Sequence, residues 1–372
     1  MSFPAIFRWF ISTITSPHSE FPSLFSWLSP TPPSDPKAIS YRQQQEKIIN
    51  LLKGDSYTIP RLEECLKGWY MGVNPAYDNI KATEGEFLEK WIKRDNLREM
   101  AIKVDLTLCI ACFFPRTTEE KLQVLFEKMA WSEEPMLTES AFNKFFAFDD
   151  DVDSFLTAEE FVKQEPAAFV KYWLDPNRSG PEPYVLPSCI IYRTVGPKLA
   201  MGWSEASKAQ FQKTTIEYID CLMEVSKQRE TYLPSLEEYI EGRIINIGVY
   251  PTLDLIPYAA DIEVSDEVLK HESLQTIRIM LTEYDLKDER HILGQERDSA
   301  VDYTVGLIEE SYRIVNEAGT RLPKLEGKAK ADLDTYIEQC KDQAAGSIYF
   351  HQYSPRYLPK SAFQGDKIVV QL

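Results

Sequence analysis

The sequence predicts an all-α protein with one core, and three observations carry that expectation. From about residue 38 onward, apolar residues recur at spacings of three and four almost without interruption. No run of any length alternates apolar and polar residues as a half-buried strand would, and no internal repeat is visible. The 372 residues are 44% hydrophobic and 12% aromatic, enough to fill a large interior.

The first 27 residues are apolar and aromatic but are broken by Arg8, His18 and Glu20, and they carry no small-residue cleavage site. Residues 28–37 are rich in Pro and Ser and read as a linker. Residues 1–37 are therefore expected to be a leader and linker, and 38–372 a single helical domain. Helical periodicity marks segments near 38–53, 60–70, 79–96, 97–114, 117–131, 138–150 and 155–174. Pro115 closes one of these, because it cannot continue a helix. Residues 175–183 read as a loop, and 204–230, 234–246, 268–298 and 325–350 as further helices.

Charge narrows the function. The net charge is −17, and no basic face of the kind a nucleic-acid binder needs is visible. An anionic substrate would have to be held by metal ions and a few placed Arg or Lys side chains. Of six cysteines, only Cys109 and Cys112 form a CxxC, inside the apolar run 106–114 with no second pair and no nearby His. That argues against zinc and for buried helical thiols in a reducing compartment, so a cytoplasmic location is expected. No window approaches eighteen uninterrupted apolar residues, so no transmembrane helix is expected.

Four stretches carry candidate chemistry. Phe145-Phe146-Ala147-Phe148 runs into Asp149-Asp150-Asp151-Val152-Asp153. On a helix, Asp149 and Asp153 share a face with Asp150 beside it, an oxygen-only set suited to Mg²⁺. A solvated acidic helix end is the plainer account. In the second stretch, Gly248 and Pro251 are expected to break a helix just beyond Asn246, one turn after Arg243. A guanidinium there would grip a phosphate with two donors, against the plainer reading of a surface Arg. In the third, Asp285, Asp288 and Glu289 form a second acidic cluster with Lys287 and Arg290 close by. By itself, a salt-bridged exposed helix is the better account of it. Last, Arg356-Tyr357 follows the final long helix and would cap a phosphate-binding cavity.

Taken in order, the four pieces resemble a class I terpene synthase of the fungal sesquiterpene cyclase type over roughly residues 60–357. Asp149-Asp150-Asp151-Val152-Asp153 matches that family's DDxxD. Arg243, followed by Asn246, Ile247 and Gly248, resembles its diphosphate-sensing Arg and helix-break effector. Arg356-Tyr357 matches its C-terminal Arg-Tyr pair. Residues 284–292 occupy the place of its second metal motif, N-D-(L/I)-x-S-x-x-x-E, but only Asp285 and Leu286 fit as written. Tyr284, Asp288 and Ile292 stand where Asn, Ser and Glu are expected. A shifted register would let Asp285 and Glu289 coordinate, and a divergent branch such as a humulene-type cyclase fits the departure.

The resemblance implies a helical bundle with a central cavity and three Mg²⁺ ions held by Asp149, Asp150, Asp153, Asp285, Asp288 and Glu289. It implies an isoprenoid diphosphate substrate, farnesyl diphosphate first. Arg243, Arg356, Tyr357 and Lys287 would act on the diphosphate. Phe145, Phe146, Asn246, Ile247 and Gly248 would line the substrate site, and Trp203 joins the two Phe rings as a candidate for cation–π contact with a carbocation. For each single aromatic, core packing is the competing account. A chain-elongating prenyl transferase and a non-catalytic helical scaffold are the rival readings. Monomer and homodimer are both compatible with the sequence.

Overall fold

The computed structural model describes residues 56–91, 105–132, 165–183, 192–229, 248–282, 297–354, 358, 360–365 and 367–371, with the single positions 98, 102 and 245. The expected leader and linker at 1–37 lie outside the described residues, as do the expected helices at 38–53, 138–150 and, apart from the helical position 245, 234–246.

The chain forms α1 (Tyr77–Trp91), α2 (Leu106–Phe113), α3 (Glu119–Ser132), α4 (Pro166–Leu174), α5 (Tyr192–Leu199) and α6 (Glu205–Arg229). Three short helices follow: α7 (Val249–Leu253), α8 (Ile256–Ala260) and α9 (Asp266–Leu269). The chain continues with α10 (Glu272–Thr282), α11 (Arg297–Gly319) and α12 (Gly327–Tyr353). α1, α3, α6 and α12 lie close to where the periodicity places them. The helix expected at 97–114 is interrupted rather than continuous: positions 98 and 102 are helical, but Asp105 takes a left-handed backbone (φ 64°, ψ 63°) and caps α2 by accepting from the Leu108 N–H. Asp tolerates that conformation better than most residues. Tyr77 Oη and Lys81 Nζ of α1 hold the same carboxylate at 2.7 and 3.1 Å, which fixes α1 on the start of α2.

Three expectations need correction. The helix expected at 60–70 shrinks to a 3-10 turn, Leu62–Leu66, between Pro60 and the left-handed Gly68. α5, the short helices α7–α9 and the long α11 (Arg297–Gly319) have no counterpart among the helices expected from the sequence. α5 contains Gly196 and Pro197, which hide its periodicity. The chain also forms a small antiparallel sheet of order β1-β3-β2: β1 (Ser56–Ile59), β2 (Phe363–Gln364) and β3 (Lys367–Gln371). Ile59 pairs with Ile368, and Phe363 pairs with Ile368 from the other side. These strands are too short to show a period, and the fold remains all-α.

Packing relations close a ring. α12 packs on α2, α2 on α3, α3 on α5, α5 on α4, α4 on α6, α6 on α7, α7 on α10, and α10 back on α12. α1 lies against α2 and α3, and α11 against α10, the 3-10 turn and β1. One continuous apolar cluster joins these elements, from Leu62 to Phe350.

The tightest seam is α2 against α12. A Cβ on Gly346 would lie 2.2 Å from the carbonyl oxygen of Cys112, an impossible contact with backbone that cannot swing aside. Glycine is required there by proximity rather than by φ. The end of α2 is further tied by Asn74, whose Nδ2 donates to Phe114 O at 2.8 Å and Thr117 O at 2.9 Å. Arg116 meets Asp342 of α12 with two bonds, 2.5 and 3.0 Å. Substituting Gly346→Ala should therefore cost about 1–3 kcal/mol of stability by overpacking this crossing, read from urea unfolding midpoints.

Candidate active site

Of the expected site residues, Gly248 is described. It is buried and left-handed (φ 74°, ψ 7°) at the start of α7, so the helix break expected beyond Asn246 is present. Pro251 does not break the chain further; it sits inside α7, early enough that its missing N–H costs little. Phe145, Phe146, Asp149, Asp150, Asp153, Arg243, Asn246, Ile247, Asp285, Lys287, Asp288, Glu289, Arg356 and Tyr357 lie outside the described residues. Among the described residues, no three His, Cys, Asp or Glu side chains gather closely enough to hold a metal ion. No helix among them is long and apolar enough to cross a membrane.

What the structure describes in full is how the broken wall is held. A break frees backbone groups that need partners. Gly248 O accepts from Thr252 Oγ1 at 2.9 Å. Thr252 O accepts from Gln343 Nε2 of α12 at 3.2 Å. Ala259 O accepts from Thr117 Oγ1 at 2.6 Å, and Tyr258 O from Lys121 Nζ of α3 at 2.6 Å. Lys121 also pairs with Asp261, the left-handed residue that ends α8. Side chains from both flanks of the ring thus replace the bonds a continuous helix would make.

At the end of α7 lies a network that sequence reading missed. Asp254 and Arg278 pair at 2.6 Å with both side chains only 2% exposed. The second Asp254 oxygen accepts from Thr214 Oγ1 of α6 at 2.7 Å. Arg278 also reaches Tyr336 Oη of α12 at 2.8 Å, and its guanidinium lies over the Tyr250 ring at 5.2 Å. Burial opposes the Arg278 charge, but Asp254 and Tyr336 outweigh it and hold its pKa well above the ordinary value. Burial pushes the Tyr250 hydroxyl up to about 12 despite the cation beside it. A signal was present: Arg278 stands between Ile277 and Ile279, and Asp254 between Leu253 and Leu255. A lone charge inside an apolar run needs a buried partner of opposite sign.

Trp203, named above as a candidate cation–π face, is half-buried in a cluster joining α5, α6 and α8. Its ring meets Phe211 at 5.4 Å and Tyr258 edge-on at 5.6 Å, and its indole N–H donates to Leu199 O. Its ring is thus engaged in packing on two sides. Cys109 and Cys112 are buried in α2, as expected. Burial raises the Cys112 thiol to about 12 and does the same for Cys340, with Arg278 only partly opposing it there.

Residues 141–284 match the family model described as terpene synthase family 2, C-terminal metal binding. That span begins just before the first acidic stretch and ends at the second, with the Gly248 break between them. Over that span the chain is similar to class I terpene synthases. Terpene cyclase 4 of Gibberella fujikuroi is 23% identical over 368 residues, covering 90% of this chain and 95% of that protein. The (+)-eremophilene synthase of the same organism is 24% identical over 326 residues, covering 80% and 86%. The crystal structure of a-eudesmol synthase superposes with a TM-score of 0.64 at 17% identity, over 77% of this chain and 98% of that one. These likenesses indicate an enzyme of the terpene cyclase kind, and the ring of helices has the fold of the solved neighbour.

Two outcomes are expected of this wall. Arg278→Met leaves Asp254 buried without its cation and should cost about 3–5 kcal/mol in chemical denaturation. At pH 8 the native protein should leave Cys112 and Cys340 unmodified by a thiol reagent, as mapped by peptide mass spectrometry, and expose both on unfolding in urea.

Proposed function

We propose that the chain is a Mg²⁺-dependent sesquiterpene cyclase that ionises farnesyl diphosphate, cyclises the carbocation and releases diphosphate. The observation that carries this reading is the left-handed Gly248, which interrupts the helical wall inside the segment matched by the metal-binding family model. A helix ending there turns backbone groups toward a ligand, which an unbroken apolar wall cannot do. The farnesyl chain length follows from the resemblance to fungal sesquiterpene cyclases.

Asp149, Asp150 and Asp153 would hold metal from one side, and Asp285, Asp288 and Glu289 from the other. The donor set is carboxylate oxygen throughout, which fits Mg²⁺ better than zinc or copper. When bound, three such ions would supply Lewis-acid stabilisation of the leaving diphosphate. Arg243, Arg356 and Lys287 neutralise charge that builds on the diphosphate oxygens as the C–O bond breaks, and Tyr357 donates a hydrogen bond there. Phe145 and Phe146 would supply ring faces to the cation. The apolar ring keeps water from quenching it. In a chain with net charge −17, such metal ions answer the question of how an anionic substrate binds at all. The buried thiols of Cys112 and Cys340 suit the reducing compartment of the proposed cytoplasmic location.

Gas chromatography of volatiles from purified protein with Mg²⁺ and farnesyl diphosphate alone should show a sesquiterpene hydrocarbon or alcohol. A requirement for isopentenyl diphosphate would instead make the protein a chain-elongating prenyl transferase. Asp149→Ala and Asp153→Ala should each lower turnover at least about a hundred-fold. Both should also remove the thermal stabilisation given by Mg²⁺ with inorganic diphosphate; a non-catalytic scaffold would keep that response unchanged.

A further inference from the structure

The Asp254–Arg278 network is not needed to close the core. A buried ion pair loses the hydration of both charges, and apolar residues of similar volume commonly replace one without loss of stability. What the pair does that apolar residues cannot is fix a register between elements.

The segment that needs a register is α7. It is five residues long, contains Pro251, and begins at a left-handed glycine, so its own hydrogen bonds hold it weakly. Nothing inside so short a helix sets its rotation. Asp254 ends it, and each of its oxygens is bound to a different element. Oδ1 accepts from Arg278 on α10 at 2.6 Å, and Oδ2 from Thr214 on α6 at 2.7 Å. Arg278 is in turn anchored on α12 through Tyr336, and its guanidinium covers Tyr250 in the middle of α7. The hub therefore ties the far end of the break to three long helices. One of them, α10, ends at Thr282 in the described residues, three positions before Asp285. Shape-filling contacts would let α7 rotate or slide; two charge-assisted bonds at fixed angles do not.

We propose that Arg278 and Asp254 are positioning residues for the cyclase reaction. They set the rotation of α7, and with it the aim of the Gly248 turn, against the helix that leads into the second acidic cluster. Neither touches substrate. The proposal rests on the reading of the chain as a terpene cyclase that acts beside the Gly248 break.

The test uses the full chain with Mg²⁺ and farnesyl diphosphate, and three variants: Arg278→Met/Asp254→Leu, Arg278→Lys and Thr214→Val. Melting temperature, kcat, KM and the product pattern by gas chromatography are measured for each. The double variant should melt close to the unchanged protein, yet lose about ten- to a hundred-fold in kcat with a much smaller change in KM. Its products should broaden, with early-quenched acyclic alcohols increasing. Arg278→Lys keeps the charge and should recover part of kcat and of the product pattern. Thr214→Val removes one of the two ties and should move the pattern the same way, by less. A folded double variant with unchanged kcat and products overturns the proposal. If the double variant does not fold, the other two decide. A lowered melting temperature with unchanged kcat and products in both would reduce the network to a structural role and overturn the proposal. An unchanged protein that releases no diphosphate from any allylic diphosphate overturns the cyclase reading itself and takes this inference with it. Normal turnover by the unchanged protein beside indifferent variants sinks the inference alone.

Discussion

A helical wall that breaks its own backbone must satisfy what the break exposes. Between Gly248 and Asp261 two five-residue helices replace one continuous one. Each helix end would leave peptide groups unpaired in an apolar interior, at a cost comparable to a lost hydrogen bond apiece. Thr117, Lys121, Thr252 and Gln343 supply the missing partners from the α2–α3 loop, α3, α7 itself and α12. Lysine reaching a carbonyl and an aspartate at once, as Lys121 does, serves a helix C-terminus in both charge and hydrogen bonding. The irregular segment survives because the regular helices around it carry polar side chains at these few points.

The same constraint explains where this fold places its buried charge. Several of the described ion pairs are exposed i,i+3 and i,i+4 partners, such as Arg313 with Glu310 and Glu317, and these add little. Asp254–Arg278 and Arg116–Asp342 differ in kind: each joins elements far apart in sequence, and each has an almost fully buried carboxylate. Arg116–Asp342 locks the α2–α3 turn to α12 next to the close crossing at Gly346. Asp254–Arg278 locks the break to α10. Together they hold two sides of the ring to α12, the longest helix described.

Sequence periodicity reached far in some places and stopped in others for identifiable reasons. The long helices α3, α6 and α12 span many turns, so their apolar stripes outweigh local irregularity. α5 did not register, because Gly196 and Pro197 disguise eight residues that tertiary packing keeps helical. The small sheet did not register either, since β1 and β3 are far apart in the chain and each is stable only because the other is there. The Gly248 break was legible from glycine and proline alone, because backbone permissiveness is a local property.

By itself the sequence determined the helical class, the acidic balance, the order of the acidic and basic stretches and the position of the helix break. Each of these depends on residues close together or on composition. Only the tertiary structure decided that Asp254 and Arg278 are partners, that Gly346 touches the backbone of Cys112, and that the helices return on themselves as a ring. Such pairings join positions 24 to more than 200 residues apart. Their energy comes from exclusion of water between surfaces that only meet after folding, so no local pattern encodes it.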